Sequence, residues 1–291
     1  MRIAFLGLGL IGGSVARALR SADPDRESWQ IAAWTPGGDG PRRALEAGVI
    51  DEASGSPSGA ITGAALVILA APPMSCATLA AWLGGEGRAA LAAGATVTDV
   101  ASTKAALTAV ARAAGIPFVG GHPMAGRETS GFGAADATLF AGRPWVITEA
   151  VGGGDPALVR DLVLACAAVP VELDAARHDR LVASISHLPL LTSVALVEAV
   201  AGTAEEPARD WEAAARLAAS GWRDTTRLAR GDTVMGAEIA ASNAPAIAAV
   251  LRRYRDRIDA WITALEDPDG PDAAALAARL AAARDRLEEA R

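Results

Sequence analysis

Three histidines, a single lysine and an early cluster of glycines carry most of the chemistry open to this chain. His122 stands in Gly-Gly-His-Pro-Met-Ala-Gly directly after an apolar run, which puts it on a loop at the carboxyl end of a strand. An imidazole there, with an ordinary pKa near ~6.5, suits general-base work at neutral pH. A loop histidine bonded to backbone is the competing reading. Ser102 and Lys104, in DVASTKAAL, follow another apolar run. The serine is placed either to cap the next helix or to aim its hydroxyl into a cleft. His187, in SISHLPLL, lies inside a long apolar helical stretch, where a buried polar ring needs a partner. A core or interface role and a ligand role both stand. Pro189 is expected to kink that helix, and His178 reads as an exposed residue at its start. Arg227 is one of several arginines in a helical region, and its planar fork suits an anionic substrate. Cys76 and Cys166 fall in apolar helical stretches and read as buried free thiols of a reducing compartment. No metal-ligand spacing and no G-x-S-x-G elbow occurs in the sequence.

The glycines are Gly7, Gly9 and Gly12, a G-x-G-x-x-G spaced by Leu8, Leu10 and Ile11. The apolar run 2–6 precedes them and the helix former VARALR follows. Gly7 permits a tight strand-to-helix turn, Gly9 a close approach of backbone to a pyrophosphate, and Gly12 tight packing of helix on strand. The helix N-terminus offers free N–H groups and partial positive charge to the phosphates. A dinucleotide site is expected here.

The elements that must position these residues change character along the chain. Strands are expected at 2–6, 30–34, 65–71, 96–101, 118–121, 145–149 and 170–174, with helices at 13–20, 41–47, 75–83, 104–114 and 156–167. Such alternation means βαβ units and a parallel sheet. The stretch GVIDEASGSPSGAITG reads as a solvated loop. Beyond residue 175 only helices are expected, at 178–201, 207–220, 222–230, 234–240 and 243–266, with an amphipathic tail. The first of these is apolar nearly all round, which implies burial on several sides and points to a subunit interface. The expectation is therefore α/β: an N-terminal Rossmann-type parallel-sheet domain over 1–174, then an all-α dimerisation domain over 175–291. The ligand would sit between them, beyond the carboxyl ends of the strands.

Composition narrows the partners. The chain has 291 residues, 51% of them hydrophobic, and a net charge of −7. The absence of any basic block argues against a nucleic-acid partner. No uninterrupted apolar stretch reaches the ~20 residues of a membrane span. The N-terminal segment lacks a cleavage site, so a cytoplasmic location is expected.

The strings GLGLIGGS, DVASTKAAL, GGHPMAGRETSGF, ISHLPLL and SGWRDTTRLARGD, in that order, resemble the prephenate/arogenate dehydrogenase family of tyrosine biosynthesis. The resemblance runs from Arg2 to about Leu265. It implies a cyclohexadienol substrate, prephenate or arogenate. Hydride passes from C4 to NAD(P), the C4 hydroxyl loses its proton, and CO2 departs as the ring aromatises. By the resemblance, His122 is the base, Ser102 bonds the same oxygen and orients His122, Arg227 holds a substrate carboxylate, His187 lies at the substrate, and Glu128 lines the site entrance. Ala71 and Pro72 would join the glycines in holding the cofactor.

Three departures matter. Leu190 stands where relatives often have a second histidine near the substrate side chain, which makes arogenate the more plausible substrate. Gly236 stands where they often carry Trp. The strand 30–34 ends in Trp34–Thr35 with no acid to take a ribose 2′-OH, so Thr35, Arg42 and Arg43 are free to meet a 2′-phosphate, and the lean is to NADP over NAD. About 25 residues remain after the helical region, so no separate tyrosine-sensing module is expected. Two other readings remain. One is a two-domain β-hydroxyacid or imino-acid oxidoreductase, which would want a lysine on the helical half. The other is a non-catalytic, nucleotide-sensing dimer.

Overall fold

The apolar runs of the first half become one eight-stranded sheet in the computed structural model, which describes every residue but Arg26, Glu128, Ala290 and Arg291. Its strands are β1 (Arg2–Leu6), β2 (Gln30–Trp34), β3 (Glu52–Ala53), β4 (Leu66–Leu69), β5 (Thr96–Asp99), β6 (Phe118–Pro123), β7 (Pro144–Val151) and β8 (Val169–Glu172). They lie in the order β3-β2-β1-β4-β5-β6-β7-β8. Helices α1 (Leu10–Ala22), α2 (Asp39–Glu46), α3 (Pro57–Ile61), α4 (Pro73–Gly84), α5 (Ala105–Ala113) and α6 (Pro156–Ala165) alternate with them.

Both faces of the sheet are covered, so β4 is apolar at every position and β1 at every position but Arg2. Ile3 and Phe5 of β1 enter one core with Val15, Leu19, Ile31 and Ile68; Ala4 and Leu6 enter the other with Val67, Leu69, Cys76 and Val97. Each fully buried Phe or Leu side chain contributes about 1.5–3 kcal/mol. The sheet departs from the all-parallel expectation at one pairing. β7 runs antiparallel to β6, while every other neighbouring pair is parallel. A parallel return needs a crossover of a dozen or more residues, usually a helix. The β6–β7 connection carries only the 3-10 turn Phe132–Ala134, and the chain comes straight back. The stretch read as a solvated loop is structured: it holds β3 and α3, and Ala60 and Ile61 are wholly buried.

Chain order reverses between β1 and β4, leaving a crevice at their carboxyl ends. The ends of β5 and β6 lie beside it.

The helical part opens with α7 (Ala175–Val182), a π turn (Ala183–His187) and α8 (Leu188–Ala201), one continuous run of 27 residues. By length and apolar composition this run passes as a membrane span, yet it carries buried His178, Asp179 and His187. A π turn stands just before Pro189, where a kink was expected; its wider winding accommodates a residue without an N–H. Burial of α8 on several sides does not occur within one chain: only Ser193 of that helix is buried. Then follow α9 (Trp211–Arg216), α10 (Ser220–Thr225), the 3-10 turn Arg227–Arg230 and α11 (Thr233–Ser242). Two bonds tie α11 to the sheet half. Glu238 accepts from the Met74 N–H at the start of α4 (2.8 Å), and Thr103 Oγ1 donates to Ser242 Oγ (2.9 Å).

Residues Met1–Ala244 form one compact unit and Pro245–Arg291 a second. The second unit is a helical hairpin of α12 (Ala244–Leu265) and α13 (Ala273–Glu289). Arg279 lies over the Trp261 ring and donates to the Arg257 and Ala260 carbonyls.

Candidate active site

Each of the three motif glycines meets a different neighbour. At Gly7 the backbone has φ +102°, and a Cβ would stand 2.4 Å from the Ala70 carbonyl oxygen. At Gly12 a Cβ would stand 2.8 Å from Ala70 Cβ and 2.9 Å from the Gly7 carbonyl oxygen. Those two glycines serve packing. Around Gly9 a Cβ would meet nothing within 4 Å, and Gly9 is the N-cap of α1 with no side chain closing the helix end. A bare helix terminus facing open space is what a pyrophosphate requires, so the residues present fit a dinucleotide. Leu8 is buried, and Leu10 and Ile11 pack against the same core. Ala71 and Pro72 sit beside the Gly7 turn at the head of α4. A Cβ on Gly40 would lie 2.5 Å from the Leu8 carbonyl oxygen, which brings the start of α2 against the turn. Of the cofactor residues expected on that helix, Arg42 is bracketed by Asp39 (2.6 Å) and Glu46 (2.9 Å), while Arg43 has its nearest acid 3.9 Å away and lies against Gly133. Thr35 is half-buried in the turn that follows β2.

At the end of β5 a buried ion pair locks the strand that carries His122. Lys104, wholly buried, donates to the Asp99 carboxylate and to the Gly121 carbonyl (2.7 Å). Asp99 in turn accepts from the Gly121 N–H (3.0 Å) and the Ala101 N–H (3.0 Å). Burial pushes the Asp99 carboxyl up, against the opposing pull of Lys104 and those two N–H groups. Residue 121, next to His122, is thereby gripped at both its N–H and its C=O.

His122 is half-buried, and its Nδ1 lies 2.8 Å from Nε2 of His178, the rings meeting edge to face at 77°. His178 Nδ1 lies 2.8 Å from Asp179 Oδ1. His178, expected exposed, is 1% exposed; the charged residues flanking it hid a ring that turns inward. Asp179 also accepts from the backbone N–H groups of Lys104 and Ala105 (both 2.8 Å), so it caps α5 from a distant helix. Burial alone would raise its carboxyl; the His178 N–H and the two backbone donors outweigh that and hold it below its ordinary range. Burial, helped by the neighbouring Lys104 ammonium and the His178 and His187 rings, keeps His122 well below the usual imidazole range. At neutral pH it is an uncharged base.

His187 is buried on the π turn. Its Nδ1 lies 3.2 Å from Asn243 Nδ2, which also donates to the Asp179 carbonyl (2.8 Å). Both Asn243 donors are thus engaged, and His187 Nδ1 accepts. Nε2 then carries the proton, buried and with no partner among the described residues. Burial pushes its pKa down to about 4.

Ser102 is half-buried between β5 and α5, and among the described residues its hydroxyl makes no hydrogen bond. Among the described residues it neither caps α5 nor hydrogen-bonds His122; Asp179 and His178 hold those positions. Arg227 is exposed in its 3-10 turn, which packs on α8. Glu128 lies outside the described residues. Leu190 and Gly236 face each other across a cavity of about 220 Å³ lined also by Leu191, Val194 and Leu228. Cys76 and Cys166 are buried free thiols, and burial pushes both up to about 12, which leaves neither a nucleophile. Sequence reasoning missed His178, Asp179 and Asn243. The adjacent His-Asp pair was the one available signal.

Residues 28–173 match the family described as prephenate dehydrogenase, nucleotide-binding domain, and residues 174–281 match prephenate dehydrogenase, dimerization domain. The prephenate dehydrogenase of Lactococcus lactis subsp. cremoris is 30% identical over 269 residues, covering 89% of this chain and 69% of that protein. The probable prephenate dehydrogenase NovF of Streptomyces niveus is 34% identical over 268 residues, covering 88% and 67%. The crystal structure of Synechocystis arogenate dehydrogenase is 32% identical with a TM-score of 0.77, covering 99% of this chain and 100% of that one. The two domain matches follow one another without a gap from residue 28 to residue 281, and the chain belongs to the prephenate dehydrogenase family.

Proposed function

We propose that the chain oxidatively decarboxylates prephenate or arogenate with NAD(P)+ as oxidant, and that His122 is its base. The observation that carries this is a half-buried imidazole at the carboxyl end of β6, held uncharged by its surroundings, whose Nε2 makes no hydrogen bond among the described residues. A nicotinamide held at the glycine turn would supply the acceptor for the C4 hydride. His122 takes the C4 hydroxyl proton, so the developing carbonyl is not left as a protonated cation. Ser102, with its hydroxyl unengaged, bonds the same oxygen. The ring carboxylate leaves as CO2, and aromatisation drives the step. The chain therefore needs only to align the partners and remove one proton. His187 Nε2–H, an unmatched buried donor, bonds a substrate oxygen, and Arg227 holds a carboxylate. The competing hydroxyacid reading wants a lysine on the helical half; the sole lysine is buried against Asp99.

Two finer readings go with this. Leu190 and Gly236 line one largely apolar cavity, and the leucine puts no imidazole there for a keto group, which favours arogenate. The end of β2 carries no acid, and Arg43 is less engaged than Arg42, which favours NADP with Arg43 on the 2′-phosphate. We also read 1–174 as the nucleotide-binding domain and 175–291 as the helical one, a second copy as the cover for α8, and the cytoplasm as the location.

The test is nicotinamide reduction with prephenate and arogenate in parallel. H122N is expected to lower kcat by about a hundredfold or more with little change in KM. An unaltered kcat would remove His122 as base. R227A is expected to raise KM mainly, and R43A to weaken NADP more than NAD.

A further inference from the structure

The three groups His122, His178 and Asp179 form a chain of two 2.8 Å contacts that ends on a carboxylate. Hydrogen bonding dictates the protons along it. An ionised carboxylate only accepts, so His178 Nδ1 must donate to Asp179. A neutral His178 then has a bare Nε2, which accepts from His122 Nδ1–H. That leaves His122 Nε2 with its lone pair outward. The carboxylate is held ionised by two backbone N–H groups of α5 besides the ring, and His178 is too buried for water to compete.

We propose that His178 and Asp179 are positioning residues that fix His122 in the Nδ1–H tautomer and stabilise the imidazolium it becomes when it takes the substrate proton. This rests on the reading of His122 as base. No oxidant enters this step: one O–H bond breaks, one N–H bond forms at Nε2, and the positive charge is shared along two hydrogen bonds toward Asp179. In water the other tautomer is the more common, so without the clamp the Nε2 lone pair is lost to most of the molecules. The other charged or titratable groups near His122 are Lys104, Asp99 and His187, and all three stay in place in the variants below.

Two measurements test it. The chain has three histidines, so nitrogen NMR of histidine-labelled protein resolves each ring. His122 and His178 are expected as Nδ1–H and His187 as Nε2–H. Finding His122 as Nε2–H would overturn the proposal. The second measurement is kcat and KM against pH. H178F, which removes the acceptor, is expected to lower kcat about a hundredfold. H178Q, whose amide oxygen can take the place of Nε2, is expected to recover about tenfold of that loss. D179N is expected to shift the acid limb of kcat/KM to lower pH, because the imidazolium loses its anion. Melting temperatures separate these effects from loss of the α5 cap, which H178Q leaves intact. If H122N collapses kcat while the His178 and Asp179 variants keep both rate and pH limb, the clamp is wrong and the base stands. If H122N itself is active, both fall.

Discussion

The glycine turn and the imidazole cluster lie at the same end of one sheet, yet they are built in opposite ways. The turn is made by leaving atoms out. Gly7 and Gly12 touch backbone and Ala70 so closely that a single added carbon collides, and Gly9 faces empty space. The cluster is made by putting polar atoms into a buried place and matching each to another: Lys104 to Asp99, His122 to His178, His178 to Asp179, His187 to Asn243. A site of the first kind fails when something is added. A site of the second kind fails when something is removed, because the surviving partner is left charged or unbonded in a low-dielectric interior.

Substitutions can sharpen that contrast. The largest effect on stability is expected from K104M, which strands the Asp99 carboxylate. Breaking a buried pair this way costs about 3–5 kcal/mol, and urea unfolding should show it, with the double variant D99N/K104M recovering part. G7A comes next, at about 2–4 kcal/mol, from a positive φ and a 2.4 Å approach together. G9A separates ligand from fold. Its melting temperature should barely move, within about 0.5 kcal/mol of wild type. Its affinity for the dinucleotide, by titration calorimetry, should fall about tenfold, or ~1.4 kcal/mol. Equal stability losses for G7A and G9A would erase the distinction drawn between them. The mildest test needs no substitution. Folding lowers the His187 pKa to about 4, so the unfolded chain binds its proton first as pH falls. The associated stability is complete above about pH 6.5, the ordinary histidine value, and is lost as pH drops toward 4. Urea midpoints at a series of pH values should decline in that window.

The same contrast explains what was legible in the residues alone. The turn is local: the eleven residues from Arg2 to Gly12 suffice, and the strand positions other than β3, the β1–α1 junction and His122 at the end of β6 follow from short windows. The reversed β7 needed a judgement about the 20 residues between strands, where no crossover helix forms. The cluster is assembled from β5, β6, α7, the π turn and the end of α11, and no window contains it. His178 and His187 show why. They are nine residues apart, which at about 100° per residue puts them on opposite faces of a regular helix. The π turn absorbs roughly one extra residue and rotates them toward a common side. Periodicity read from the sequence assumes uniform winding and therefore misplaces one of the two rings. His178 was also disguised by its neighbours Arg177 and Arg180, whose charges suggested a solvated face.

Lys104 has one more consequence, for the bench rather than for the reaction. It is the chain's sole lysine, and its ammonium is sealed beneath the sheet edge with no surface exposed to solvent. Amine-directed acylating reagents and crosslinkers therefore find no lysine target on the native protein. Label appearing at position 104 would instead count the molecules that have opened, so that a mass shift mapped to that residue, apart from the Met1 amine, serves as a clock for unfolding.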